Sequence, residues 1–280
     1  MRIRSIAVKK LFGMFDHAIP LNREEKITIV YGPNGYGKTY ILNTMHALFN
    51  GVFEDIKEVP FLEFNVELDD GGSVIVTRQR DELYGGCILS VADAAGNKKL
   101  LSQDEFTKTI CRHVRVRSID TGRLMRFSDI VDDRPSISIS AGKMKELISG
   151  GIDEETRGKI DLFVRIINSR FSHKTIVIDE ETGFTFRASN GLILRPEQLS
   201  SGEQHAVVIL LELLFNTVPG TLILIDEPEL SLHISWQQQF VRDIDEIVSH
   251  DNFDILIATH SPQIIHDRWD LTVELKGPGE

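Results

Sequence analysis

The residues best suited to chemistry form a glycine-rich segment early in the chain. Gly32 to Thr39 fits the pattern G-x-x-x-x-G-K-[ST]. Glycines at these spacings let the backbone curl, so that successive N–H groups point at phosphate oxygens. Lys38 would reach the β- and γ-phosphates as a point charge, and the Thr39 hydroxyl would contact Mg²⁺. The residues predicted to contact a nucleoside triphosphate are Gly32, Pro33, Asn34, Gly35, Tyr36, Gly37, Lys38, Thr39 and Tyr40.

The sequence on either side of this segment predicts the elements that hold it. Lys26 to Tyr31 is rich in β-branched residues, which indicates a strand. Tyr40 to Phe49 has apolar residues at helical spacing, which predicts a helix. A helix that begins directly after a glycine loop is a ready site for an anion, because its first N–H groups have no partner within the helix.

A second group of candidate residues follows the apolar run Leu222–Ile225. Such a run suits a central parallel strand buried on both faces, and ligands of open α/β sheets bind beyond the carboxyl ends of such strands. Asp226 would hold Mg²⁺ through water, because Mg²⁺ prefers hard oxygen ligands. Glu227 would polarise the attacking water, as a general base or a water-positioning group. The alternative is a pair of solvated carboxylates, which the nearby phosphate loop makes the weaker interpretation.

Another apolar run, Ile255–Ala258, ends just before Thr259 and His260. His260 could donate a hydrogen bond to the γ-phosphate or orient the attacking water. A lone histidine at a strand end is usually structural, but its place after an acidic pair in a chain with a phosphate loop favours a functional role. The predicted catalytic residues are therefore Lys38, Glu227 and His260.

The segment Leu199–Gln204 precedes a long apolar stretch that predicts a helix. Ser200 or Ser201 could cap this helix, with Glu203 or Gln204 completing a capping box. The same geometry offers a hydroxyl, backbone N–H groups and the positive end of a helix dipole, which together suit a γ-phosphate. The sequence alone leaves both roles of this segment possible, capping of the helix and contact with a phosphate.

Together, the four motifs resemble the ATP-binding-cassette (ABC-type) ATPase heads of the SMC, RecF and OLD groups. The resemblance implies an α/β P-loop NTPase fold, with a mixed central sheet flanked by helices, an antiparallel β-subdomain and a small helical lobe. It also implies that Gly32–Thr39 is Walker A, Leu199–Gln204 the signature, Leu222–Glu227 Walker B and His260 the switch histidine. In that family two heads enclose two ATP molecules. Ser200, Ser201, Gly202 and Glu203 would then contact the ATP of a second copy, in a homodimer or higher homo-oligomer.

Three segments narrow the resemblance to bacterial stand-alone AAA-type ATPases of the OLD-like branch, which include the ATPase subunit of PARIS-type phage-defence systems. The segments are Leu11–His17, Glu227–His233 and Ala258–Gln263. This resemblance implies ATP and Mg²⁺ as cofactors, hydrolysis to ADP and phosphate, and a nuclease or toxin as protein effector. The ATPase would act as an ATP-dependent switch or scaffold in antiviral defence.

Two departures from the family pattern bear on function. Larger members carry a coiled-coil arm between Walker A and the signature, whereas the interval here holds no sustained heptads. Relatives also often carry Gln within the segment that matches Ile119–Leu124, where this chain has Gly122. Hydrolysis is therefore expected to be slow, and a low-turnover, nucleotide-dependent scaffold is an alternative.

Length and composition allow one large domain or two lobes, and the resemblance implies a single ABC-type ATPase domain, residues 1–280, in two lobes. The N-terminal lobe would span 1–126, an arm stub or linker 127–160, and the C-terminal lobe 161–280. With 280 residues and 41% hydrophobic content, the chain can bury a sizeable core. The two cysteines show no metal or disulfide spacing, which favours a reducing cytoplasm. No apolar run reaches the roughly 18 residues of a membrane span.

The remaining predicted elements are hairpins at 2–21 and 174–188, antiparallel strands at 61–68, 73–79 and 87–92, and helices at 155–171 and 235–250.

The densest basic stretch leaves nucleic-acid binding open. It comprises Arg112, His113, Arg115, Arg117, Arg123 and Arg126. These side chains could contact phosphates of DNA or RNA, or they could face outward from a strand whose Val114 and Val116 face the core. The net charge of −11 argues against a broad electrostatic footprint on the monomer. Because of this basic stretch, a DNA-binding repair ATPase of RecF or SMC type is kept as an alternative. The ATPase subunit of a membrane transporter fits the motifs less well. Lys10 and Phe12 could border the adenine, although ordinary hairpin positions are favoured there.

Overall fold

The computed structural model describes residues 1–79, 86–119, 137–230 and 232–279. The described strands are β1 (Ile3–Leu11), β2 (Phe15–Pro20), β3 (Ile27–Tyr31), β4 (Glu63–Leu68), β5 (Ser73–Arg78), β6 (Cys87–Ala92), β7 (Lys98–Leu101), β8 (Arg115–Ile119), β9 (Lys174–Asp179), β10 (Gly183–Ala188), β11 (Ile193–Leu194), β12 (Thr221–Asp226), β13 (Asp254–Thr259) and β14 (Thr272–Glu274). The described α-helices are α1 (Lys38–Phe49), α2 (Phe53–Lys57), α3 (Gln103–Phe106), α4 (Ile137–Ser149), α5 (Glu154–Arg170), α6 (Ser201–Phe215), α7 (Ile234–His250) and α8 (Pro262–Ile265).

The chain forms two compact units, the first from residues 1–120, 218–227 and 252–280 and the second from 121–217 and 228–251. The predicted lobes, 1–126 and 161–280, do not coincide with these units. The reason is strand pairing: β13 lies directly beside β3 in a parallel register, so residues near the C-terminus complete the sheet that holds the phosphate loop.

The first unit contains a parallel sheet of five strands in the order β14-β3-β13-β12-β8. Its middle strands are buried along nearly their whole length, as continuous apolar runs predict for strands covered on both faces. A second sheet is antiparallel, in the order β2-β1-β4-β5-β6-β7. It contains the predicted N-terminal hairpin and the three predicted strands, and so forms the expected β-subdomain.

The second unit combines helices α4 to α7 with an antiparallel sheet in the order β11-β10-β9. The aromatic rings of Phe163, Phe184 and Phe186 lie in its core, and Phe184 contacts each of the other two edge-on. The predicted hairpin at 174–188 and the amphipathic helix α7 are both present, and α7 buries one apolar face.

The described part of the interval expected to be an arm stub or linker, residues 137–160, contains α4 and the start of α5, both helices of this unit. Ile137, Ser140, Ala141 and Met144 are buried at helical spacing on α4. Gly183 lets β10 approach this helix closely, because a Cβ at this position would lie 2.1 Å from the Ala141 carbonyl oxygen. Residues 127–136 lie outside the described ranges. Among the described residues, no helix has the length and apolar character needed to cross a membrane.

Candidate nucleotide-binding site

Three functional segments meet at the carboxyl edge of the five-stranded sheet. The phosphate loop follows β3, Glu227 follows β12, and His260 follows β13. Because these strands are parallel and β13 lies between the other two, their ends bring the three segments together. This is the edge at which open α/β sheets bind ligands.

The backbone of the phosphate loop depends on two glycines with positive φ. Gly35 has φ 87° and Gly37 has φ 90°, a region that other residues adopt only with strain. Gly37 is also closely packed, since a Cβ there would lie 2.3 Å from Leu11 Cδ2. It precedes α1, and no side chain caps that helix end. The first N–H groups of α1 are therefore oriented for an anion.

Lys38 places a positive charge inside the loop. Its side chain is only 3% exposed, and Nζ donates hydrogen bonds to the Gly32 carbonyl at 2.7 Å and the Pro33 carbonyl at 3.1 Å. Nζ also lies 3.8 Å from Glu227 Oε1. A buried charge is costly unless it is paired and hydrogen-bonded, so these contacts account for its burial.

The two predicted Mg²⁺ ligands lie side by side. Thr39 Oγ1 donates a hydrogen bond to Asp226 Oδ1 at 3.2 Å, although the two residues are far apart in sequence. A hydroxyl and a carboxylate are hard oxygen ligands of the kind that Mg²⁺ takes together with water and phosphate oxygens. The donor set therefore fits a magnesium ion that is shared with a nucleotide.

Glu227 is held in an unusual conformation between the other two candidate catalytic residues. Its φ of 46° is uncommon outside glycine, and its N–H donates to the Ala258 carbonyl at 2.8 Å. Its carboxylate contacts His260 Nδ1 through Oε2 and faces Lys38 through Oε1. The structure thus brings Lys38, Glu227 and His260 together. Backbone strain of this kind is often found at functional sites.

The signature segment belongs to the second unit, where Ser200 caps α6. The Ser200 hydroxyl accepts from the Glu203 N–H at 3.4 Å, and the Glu203 carboxylate accepts from the Ser200 N–H at 3.0 Å. This resolves the alternatives for the cap in favour of Ser200 and Glu203; Ser201 is the first helical residue and Gly202 the second. Contact of these residues with ATP in trans stays a prediction.

Glu203 also pairs with Lys174, whose Nζ lies 2.9 Å from its carboxylate. Partial burial raises the pKa of Glu203, but the Lys174 ammonium and the Ser200 donors outweigh that effect, so the pKa is lowered overall. The ionised carboxylate therefore stabilises the start of α6.

Several other candidate residues have ordinary structural roles, and some lie outside the described ranges. Lys10 pairs with Asp16 at 3.4 Å, while the Phe12 ring packs edge-on against Tyr40 beside the phosphate loop. Val114 and Val116 are buried, as the strand interpretation of the basic stretch predicts. Gly122, Arg123 and Arg126 lie outside the described residues.

Sequence reasoning missed one residue at the loop, His17, whose Nε2 lies 3.0 Å from the Tyr36 carbonyl oxygen. The signal was present in β2, where alternate residues are buried and His17 falls on the buried face.

This fold and this edge of the sheet have the α/β architecture of ABC-type P-loop ATPases, as the resemblance implied. The chain belongs to the family described as "AAA domain, putative AbiEii toxin, Type IV TA system", whose model matches residues 97–266. Its resemblance to SMC-like heads and stand-alone defence ATPases is confirmed.

Individual relatives support this assignment. The chain is 27% identical to the Septu protein PtuA of Bacillus thuringiensis, over 94% of this chain and 72% of that protein. It is 32% identical to the Retron Ec83 probable ATPase of Escherichia coli, over 28% of this chain and only 16% of that protein.

Among solved structures, an SMC head bound to the C-winged helix domain of ScpA matches with a TM-score of 0.58 and 12% identity, over 100% of this chain and 96% of that one. The SMC head domain from Thermotoga maritima matches with a TM-score of 0.52 and 15% identity, over 99% and 95%. At these identities the likeness is one of fold.

Proposed function

We propose that this chain binds and hydrolyses ATP and uses the nucleotide state to control a protein effector, in defence against phage. The observation that carries the proposal is the convergence of Lys38, Thr39, Asp226, Glu227 and His260 at one sheet edge. Phosphoryl transfer depends on positioning and charge stabilisation, and this set provides both.

The phosphate loop would hold the triphosphate through the backbone N–H groups of Gly32 and of residues 34–40, since Pro33 has none, with Lys38 neutralising charge on the β- and γ-phosphates. Thr39 and Asp226 would hold Mg²⁺, which when bound neutralises further charge on the phosphate oxygens. Lys38 would then exchange its contacts with the Gly32 and Pro33 carbonyls for phosphate oxygens.

Glu227 would orient the attacking water and accept its proton, since its carboxylate lies at the strand end beside the loop. His260 would hold this carboxylate through the Nδ1 contact. A general base contributes about 10²- to 10⁴-fold to a rate, so this residue would control turnover without controlling binding.

A second copy of the chain would complete the site through Ser200, Ser201, Gly202 and Glu203. Support comes from the exposed Ser200 and Ser201 at the start of α6, where a helix N-terminus favours an anion. ATP would thus join two subunits, and hydrolysis would release them.

The effector would be a nuclease or toxin that acts with this ATPase in the cytoplasm. Support for a role in such a system comes from the likeness to PtuA and from the family description, which calls the AAA domain itself a putative AbiEii toxin of a type IV TA system. Both cysteines are free, as expected in a reducing compartment.

The deciding experiment is the solution mass of Glu227→Gln by light scattering, with and without ATP and Mg²⁺. A mass that doubles only with ATP supports the shared site, with Lys38→Ala in the same background as the control that stays monomeric. A monomer under both conditions contradicts ATP-dependent dimerisation of the isolated chain. An oligomer of constant mass favours a low-turnover scaffold.

A further inference from the structure

We propose that His17 is a positioning residue for the phosphate loop, fixing the peptide between Tyr36 and Gly37 so that the Gly37 N–H faces the nucleotide. This inference deepens the proposed function and rests on it for the identity of the ligand. The part of it that concerns the free protein can be measured without any nucleotide.

The central observation is one hydrogen bond between β2 and the loop. His17 Nε2 lies 3.0 Å from the Tyr36 carbonyl oxygen. A carbonyl only accepts, so Nε2 carries the hydrogen and donates it. The described residues contain no cis peptide bond, and in a trans peptide the C=O and the following N–H point in opposite directions. A Tyr36 carbonyl held toward His17 therefore turns the Gly37 N–H away from the hairpin.

Packing inside the hairpin holds the His17 imidazole in one orientation. His17 is only 7% exposed, and its ring stacks on Phe15 with centroids 5.5 Å apart and planes at 16°. Phe15 in turn packs against the Tyr36 ring, with centroids 5.2 Å apart. His17 and Tyr36, the donor and acceptor of the hydrogen bond, thus both pack against the Phe15 ring.

The same hairpin holds the next residue from another side. Leu11, at the end of β1, lies where a Cβ of Gly37 would be, and β1 and β2 pair Leu11 with Phe15 and Val8 with His17. The hairpin therefore restrains the loop in two ways. Leu11 limits where Gly37 can lie, and His17 limits rotation of the peptide group between Tyr36 and Gly37.

The charge state of His17 agrees with this role. Burial lowers the pKa of His17, against the opposing effects of the Tyr36 carbonyl and the Asp16 carboxylate. Asp16 itself accepts the Lys10 N–H at 2.7 Å and pairs with the Lys10 ammonium. The imidazole is therefore neutral near neutral pH, and the neutral tautomer with hydrogen on Nε2 makes the observed bond.

The test compares His17→Phe, which removes the donor but keeps a ring, with His17→Gln, which restores an N–H at a similar distance from the backbone. Hydrogen exchange of the loop is measured in the nucleotide-free chain, and ATP affinity is measured by calorimetry. We expect His17→Phe to speed exchange of the loop and weaken ATP binding, each by roughly threefold to tenfold, as for the loss of one net hydrogen bond. His17→Gln should restore most of both, with kcat changed less than KM.

His46→Phe is the control, because His46 is a partly buried histidine in α1 whose ring contacts Asn50 rather than the phosphate loop. It should leave loop exchange unchanged. Equal effects of His17→Phe and His17→Gln, or normal exchange in His17→Phe, would overturn the proposal. If the wild-type chain and Lys38→Ala bind ATP equally poorly while His17→Phe still loosens the loop, the nucleotide assignment fails and the positioning role stands.

Discussion

Among single residues, Lys38 offers the most direct test of the nucleotide site. Its ammonium is almost fully buried, yet its hydrogen-bond partners include two carbonyls of its own loop, which phosphate oxygens could replace. Lys38→Ala should weaken ATP binding on the order of 100-fold, because hydrogen bonds to charged groups contribute about 1.5–3 kcal/mol. Calorimetry measures this, with Lys57→Ala as an exposed control. Unchanged affinity in Lys38→Ala would contradict the nucleotide site.

Glu227 should act on turnover rather than on binding. Glu227→Gln keeps the side-chain shape but removes the base, so we expect ATP affinity to stay within about threefold while phosphate release falls by about 100-fold or more. A coupled phosphate assay measures the rate, and the exposed Glu24→Gln serves as control. Normal phosphate release in Glu227→Gln would show that another residue activates the attacking water.

At the scale of elements, the two glycines of the phosphate loop allow backbone strain from a positive φ to be distinguished from steric overlap with a neighbour. Gly35 and Gly37 have nearly the same φ, but only Gly37 would clash with a neighbour, whereas a Cβ at Gly35 meets no atom within 4 Å. Gly35→Ala should therefore cost about 1–2 kcal/mol of unfolding free energy, and Gly37→Ala a further 1–3 kcal/mol. Urea titrations measure both. Equal losses would show that Leu11 does not support the loop.

The cap of α6 gives a prediction with a defined pH dependence. Ser200→Ala and Glu203→Gln should each cost about 1 kcal/mol near neutral pH, with Ser201→Ala as the uncapped control. The folded pKa of Glu203 lies below its unfolded value, so its stabilisation is present above about pH 4.3 and is lost as the pH falls through the folded pKa. Urea titrations at about pH 7, 5 and 4 should show the gap between wild type and Glu203→Gln closing. A gap that widens toward acid would contradict this sign.

Much of the nucleotide site was predictable at this scale because its determinants are local. The loop pattern, the acidic pair and the serine cap each depend on a few adjacent residues. Helix α4 was missed because serine and isoleucine alternate from Ser136 to Ser140, a pattern typical of a strand. Ile137, Ala141 and Met144 nevertheless form a helical face, and packing on Gly183 decides the outcome. The His17 contact joins two segments by tertiary packing, which no local pattern specifies.

For the whole molecule, the proposed shared site makes assembly depend on a residue far from the phosphate loop in sequence. Ser200→Arg adds a large charged side chain at the start of α6, where it would block a second copy. In the Glu227→Gln background we expect ATP binding to persist and the ATP-dependent increase in mass to be lost. Calorimetry and light scattering measure the two effects, and Ser149→Arg on α4 is an exposed control. Normal dimerisation of Ser200→Arg would contradict contact in trans.

The pairing of β3 with β13 and β14 has a consequence during synthesis. The strand that carries the phosphate loop is completed on both sides by residues 254–274, which leave the ribosome last among the described strands. Bacterial or eukaryotic translation at about 5–20 residues per second separates these partners by on the order of ten seconds or more. Closing so long a loop also slows folding, because its entropy is lost before the contacts form. A nascent chain would therefore hold Lys38 before Glu227 and His260 have been synthesised, and the candidate site would assemble only after β13 has been made.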